Sequence, residues 1–314
     1  MECEIFNKRI NKKLVIKDYV KELYATDGVP KGNYFFLKLD GLGEAQADRH
    51  TMESNLDGAI YIRSTLAERE VTIELMMIPD ETKSMESLRR ELSQMLNPKA
   101  GILELTYLED QMSYRIDAVS DHVPTFMTED YLSEKGQRVT VTLIAPDPFW
   151  YGLEDEVHYL SNWVGNLEWD LEFPMSGNQE SGIELEVFNG DGLVTLTNNG
   201  DEQTGAIFTL VASSEVKNPN IIRIMSDGTA NQFIKLNTTM VAGDQIRIIT
   251  MTGSKRVEKW QDKTQTWINA FHLIDLTSDF IQLDIGENYL RYETESNPNQ
   301  LAIKVEYKLR YVGV

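Results

Sequence analysis

The chain has 314 residues, of which 41% are hydrophobic and 25% charged, and a net charge of −20 at neutral pH. Those fractions belong to a folded protein rather than a disordered one, and the length supports two cores of typical domain size. The charge divides into −8 over residues 1–150 and −12 over residues 151–314, which argues against sequence-specific nucleic acid binding in either half.

No apolar run reaches membrane-spanning length, so membrane insertion is not expected. The start, Met1-Glu2-Cys3-Glu4, lacks the basic and then apolar layout of a signal peptide, and synthesis in a cytoplasm follows as the expectation. A single cysteine, Cys3, excludes an internal disulfide framework and a zinc-finger ligand set. Its place near an end that frays makes it a poor nucleophile.

In chain order, Glu4–Phe6 and Leu14–Ile16 read as a short hairpin. The basic residues Lys8, Arg9, Lys12, Lys13 and Lys17 fit a solvated edge strand. A strand over Tyr34–Leu39 ends at Asp40-Gly41-Leu42-Gly43. This is not a dinucleotide fingerprint, because Gln46 stands where the third glycine would be and no apolar-faced helix follows. Residues Glu44–Ser64 are polar and read as a long irregular excursion with a turn at Asp57-Gly58.

Alternation returns over Glu70–Ile78. Met85, Leu88, Leu92, Met95 and Leu96 then recur at helical spacing, with Ser84 as N-cap and Asn97-Pro98 as the stop. Gly101–Tyr107 and Ser113–Ser120 form a further hairpin. Gln137–Ile144 alternates until Pro146.

There the pattern changes. Pro146, Asp147, Pro148, Phe149, Trp150, Tyr151 and Gly152 read as a stiff joint: the two prolines remove backbone donors and fix φ, the rings supply area to bury, and the glycine lets the chain turn away. The expected division is therefore 1–150 and 151–314. The first domain is one helix on a mostly antiparallel β-sheet. The second, a run of short strands separated by turns such as Asn198-Asn199-Gly200-Asp201 and Ala242-Gly243-Asp244, predicts a two-sheet sandwich of jelly-roll type.

Catalytic and cofactor signals are missing from this reading. His50, His122, His158 and His272 are scattered without ligand spacing, and neither a phosphate loop nor a nucleophile elbow occurs. Asn198, Asn199, Asp201 and Glu202 crowd one turn, which a β-turn explains better than calcium. No cofactor, no metal and no catalytic residue is predicted. Trp260 and Trp267, on either side of a hairpin tip, and Tyr289 and Tyr292, near other turns, are candidate saccharide contacts.

The ordered set Gly41-Leu42-Gly43, Asp57-Gly58, Arg69 leading a strand to Ile78, the Leu88–Leu96 helix ending at Pro98, and Ala145–Gly152 resembles the distal tail (Dit) proteins of siphophages that infect Gram-positive bacteria. Asn199-Gly200-Asp201, Ala242-Gly243-Asp244-Gln245, Phe280–Asn288 and the ending Tyr311-Val312-Gly313-Val314 are similar to the C-terminal domain of that family. The resemblance covers essentially the whole chain. It implies a structural, non-enzymatic protein of the virion tail tip, made in the bacterial host. Its N-terminal domain would assemble as a homo-hexamer ring and its C-terminal domain would be a galectin-like β-sandwich. The ring would meet the tail tube protein on one face and a tail-associated fibre, lysin or receptor-binding protein on the other, with DNA passing through. The Glu44–Ser64 excursion suits a belt between subunits. Two other readings are a cell-wall saccharide-binding module and, more distantly, a wall hydrolase.

Overall fold

From Arg69 to Met77 every second side chain is buried, and Gln137–Ala145 repeats the pattern. The two strands pair antiparallel along their whole length, from Gln137 opposite Met77 to Ala145 opposite Arg69, so Val71, Ile73 and Leu75 share one apolar face with Val139, Val141 and Leu143. Each fully buried aliphatic side chain contributes about 1.5–3 kcal/mol, enough for this pair to anchor a core.

The computed structural model of the chain describes residues 2–25, 31–43, 45–53, 57–109, 112–127, 136–160, 163–165, 186–188, 193–225 and 228–314. They form two compact units, Met1–Leu153 with Arg310–Val314, and Glu154–Leu309. The last five residues, which the sequence reading placed in the second half, thus belong to the first unit.

The first unit is built on one sheet, ordered Arg310–Tyr311, Trp150–Gly152, Ser113–Ser120, Leu103–Leu108, Glu2–Asn7, Lys12–Asp18, Tyr34–Asp40, Arg69–Met77, Gln137–Ala145 and Thr125–Phe126. Ser113–Ser120 also pairs with Gln137–Ala145, which closes the middle strands on themselves like a barrel. One pairing, Lys12–Asp18 with Tyr34–Asp40, is parallel. The helix Met85–Met95 starts where Ser84 Oγ accepts from the Ser87 amide, and it buries Met85, Leu88, Leu92 and Met95 in the same core.

Three details differ from the sequence reading. A short helix, Tyr19–Ala25, follows the second strand. The basic strand Lys12–Asp18 lies inside the sheet rather than at its edge: Lys13 is neutralised across the sheet by Glu4 at 2.5 Å, Lys17 pairs with Glu22 of the following helix at 3.5 Å, and Lys8, outside the strand, pairs with Glu104 at 3.2 Å. Cys3 is not at a frayed end but 1% exposed in the core.

The second unit holds a sheet ordered Glu156–Tyr159, Leu301–Tyr307, Thr204–Ala212, Gln245–Ile249, Arg256–Gln261 and Thr266–Asn269, with Gln282–Leu283 added beside Thr204–Ala212. A four-stranded sheet, Val194–Asn198, Gly286–Glu293, Asn220–Ile224 and Ala230–Lys235, supplies the other layer. Phe208, Leu210, Ile246, Ile248, Ile303 and Val305 from the first sheet meet Leu196, Ile221, Ile234 and Leu290 from the second in one core, the sandwich that the strand spacing predicts. Among the described residues its only helical segments are single turns. A further turn that the sequence suggests, Asn189-Gly190-Asp191-Gly192, lies outside the described residues.

Candidate functional site

Three surfaces of the first unit, and one of the second, bear on what the chain can do. The first is a clamp around Arg69. Pro146 and Pro148 end the Gln137–Ala145 strand and leave carbonyls without ladder partners. Arg69, 1% exposed, satisfies one of them: its Nε donates to Pro148 O at 2.6 Å. Its Nη1 donates to Gly41 O at 2.8 Å and Leu42 O at 3.2 Å, and its Nη2 donates to Val312 O. Leu42 O also accepts from Trp150 Nε1 and from the Val314 amide, each at 3.1 Å. One guanidinium thus ties three separate stretches of backbone, a task suited to its rigid fork of donors.

Gly41 is required by the same geometry. Its φ is +94°, and a Cβ there would lie 2.2 Å from Glu70 O. Of the predicted joint residues, Trp150 is fully buried, Pro148, Phe149 and Gly152 are half-buried, and Pro146 and Asp147 are exposed. Arg310 lies 3.8 Å over the Phe149 ring and 3.6 Å from Asp147, while the Tyr151 hydroxyl donates to Asp147; burial, then that bond, raise the Tyr151 phenol above its ordinary range.

The second surface corrects the expected irregular excursion. Ala47–Glu53 and Ala59–Leu66 form an antiparallel hairpin arm that, among the described residues, pairs with no other strand. A bulge at His50/Thr51 leaves Ile62 as the extra residue, which disguises the strand period in the sequence. Nearly every arm residue is exposed, including Met52 at 55%, Ile60 at 52%, Tyr61 at 62% and Ile62 at 58%. A lone two-stranded hairpin is marginally stable in water, and one with its apolar residues bare is built to be covered.

The third surface is an open cavity of about 510 Å³ at the root of the arm, where the Ala67 amide bonds to Gln46 O at 2.9 Å. Asp40, Glu68, Glu70 and Thr72 line it beside those two residues.

In the second unit, Trp260 and Trp267 face each other across a hairpin, rings 5.3 Å apart at 62°. Arg247 lies 4.4 Å over the Trp267 ring and pairs with Glu258, so that ring face is already occupied. Tyr289 stands on the other sheet. Tyr292 is a correction: it is 8% exposed, its hydroxyl donating to Pro298 O and Leu301 O, and it belongs to the core. The four residues do not form one stacking platform.

Cys3 is held in the apolar core, where burial and then Glu4 and Glu2 push its thiol up to about 12. In the turn considered for calcium, buried Asn198 accepts from the Gly200 amide and donates to Glu202 O and Leu283 O, which makes it a turn-former. Among the described residues no group of three His, Cys, Asp or Glu is placed to hold a metal ion, and no helix is long and apolar enough to cross a membrane.

A closed β domain bearing an exposed arm, followed by a sandwich, defines a structural assembly protein, and comparison with known proteins says of which kind. Residues 31–145 match the phage tail protein RIFT-related domain, and residues 199–311 match the C-terminal domain of siphovirus-type tail components. The chain belongs to the siphophage distal tail (Dit) family and is a structural tail component, not an enzyme. Solved structures share its fold. The Dit protein (gp 19.1) of phage SPP1, described as a paradigm of hub adsorption apparatus in phages infecting Gram-positive bacteria, has a TM-score of 0.65 at 12% identity over 98% of each chain. The phage P2 baseplate in its activated conformation with Ca has a TM-score of 0.56 at 14% identity, covering 100% of this chain and 99% of that one. The same baseplate with Sr gives 0.54 at 14%, covering 98% and 97%. No curated protein sequence matches the chain.

Proposed function

We propose that this chain is the hub of a siphophage tail tip: six copies form a ring, the tail tube protein meets one face, and a tail-associated fibre, lysin or receptor-binding protein meets the other. DNA leaves through the opening. A net charge of −20 suits a surface that a polyanion must pass without sticking. The chain is made in the host cytoplasm and ends in the virion tail tip. Within it, the first unit, residues 1–153 with 310–314, carries ring formation, and residues 154–309 form the sandwich.

The observation that carries this reading is the arm. It emerges from the part of the chain that matches the phage tail RIFT-related domain, and it exposes Met52, Ile60, Tyr61 and Ile62 with no strand beside it among the described residues. Such an arm is stable when it lies on a neighbouring subunit, as a belt would. Negative-stain electron microscopy tests the reading: the full chain gives sixfold rings with a central opening, and replacing residues 47–66 by a short Gly/Ser turn abolishes them. Rings that persist without the arm would refute the belt, and the absence of rings from the full chain would refute the hub.

A further inference from the structure

Two features of the first unit carry opposite charge, and each includes a side chain with no ion pair among the described residues. On the arm, Arg63 stands opposite His50 and makes no ion pair among the described residues. At the arm's root, the cavity is lined by Asp40, Glu68 and Glu70 and, among the described residues, by no lysine or arginine. Asp40 is paired with Lys38 at 2.5 Å and Glu70 accepts from Thr72 at 3.3 Å, but Glu68 has no ion pair among the described residues. Arg63 does not serve its own cavity: five residues of extended chain, roughly 17 Å, separate it from Glu68.

We infer, on the reading of the chain as a ring-forming hub, that Arg63 of one copy enters the acidic cavity at the arm root of the next copy, against Glu68 and Glu70. The occupant is a second copy of this chain because both halves of the contact are on it, and Arg63 and Glu68 are left without an ion pair among the described residues. The contact is heterologous, arm on one side and socket on the other, which is the kind that closes into rings when the rotation per subunit permits. Arginine suits the site: its charge persists at any working pH, its planar donors match carboxylates, and it sheds water more readily than lysine. The exposed Met52 and Ile60, opposite each other towards the arm's tip, add apolar area to the same contact.

Disulfide trapping in the full chain tests this. Cys3 is buried with its thiol raised, so the double variant Arg63→Cys, Glu70→Cys has a low background. Oxidation is expected to give a ladder of covalent oligomers up to the ring, while each single variant yields no species larger than a dimer. In parallel, Arg63→Glu is expected to weaken association by about tenfold or more, and adding Glu68→Arg and Glu70→Arg to restore it. Rings that form in the wild-type chain, yet give no ladder and ignore charge reversal, would overturn the inference and leave the hub reading standing. A wild-type chain that is monomeric at every concentration would overturn both.

Discussion

Arg69 and Val312 are 243 residues apart in sequence and are joined by a hydrogen bond from Nη2 to the carbonyl oxygen. Through it the end of the chain is tied to the first residue of a strand at the heart of the first unit. The same side chain holds Pro148 and the Gly41-Leu42 turn, so its loss strands several buried acceptors at once. Arg69→Met should therefore lower the stability of the first unit by about 3 kcal/mol or more, and Arg69→Lys, with one compact ammonium in place of a fork, by somewhat less. Urea denaturation read by labelling of the single cysteine, Cys3, which is buried in the first unit's core, measures both.

Gly41 and Gly58 both have positive φ but differ in surroundings. An alanine at 41 drives its Cβ into Glu70 O and Val71 Cα, whereas one at 58 meets nothing within 4 Å. Gly41→Ala is expected to cost roughly 2–4 kcal/mol, against about 1–2 kcal/mol of backbone strain for Gly58→Ala. Similar losses in the two variants would show that the close approach at Gly41 is not real.

The buried Cys3 thiol gives stability a pH slope with a definite sign. Its ordinary value of 9.0 is raised to about 12 in the folded state. Between those values the native protein keeps a proton that the unfolded chain releases, so this contribution is fully present below pH 9 and is lost as pH rises towards 12. Cys3→Ala should flatten that part of the stability profile. At pH 8 the native thiol should resist a disulfide reagent that labels the unfolded chain at once.

Trp260→Ala and Trp267→Ala should each destabilise the edge hairpin of the sandwich by about 1–2 kcal/mol, both through loss of the ring pair and Trp267→Ala also through loss of the Arg247 contact. Neither should alter retention of the protein on purified cell-wall glycan. A loss of retention in both variants, at unchanged folding, would favour the saccharide-binding reading instead.

The parts of this structure legible in the sequence are those fixed by near neighbours. The Met85–Met95 helix announces itself by its period and its Ser84 cap, and the strands of the sandwich by alternation between turns. What depended on distant partners was not legible. Arg69 reads as one more polar residue at a strand start, because its acceptors at 41, 148 and 312 are close only after folding. Tyr292 lies near a turn in sequence, yet its ring is in the core. The arm escaped notice as a hairpin because a strand exposed on both faces has no reason to alternate, and the bulge at His50/Thr51 breaks what period remains. Basic residues in Lys12–Asp18 suggested an edge, but cross-strand carboxylates such as Glu4 allow them in the middle of a sheet.

The most direct test of the hub is the solution mass of the full chain by light scattering, measured over a range of concentrations. The account predicts six times the 35.9 kDa protomer. A mass that stays at one protomer up to high concentration would contradict it.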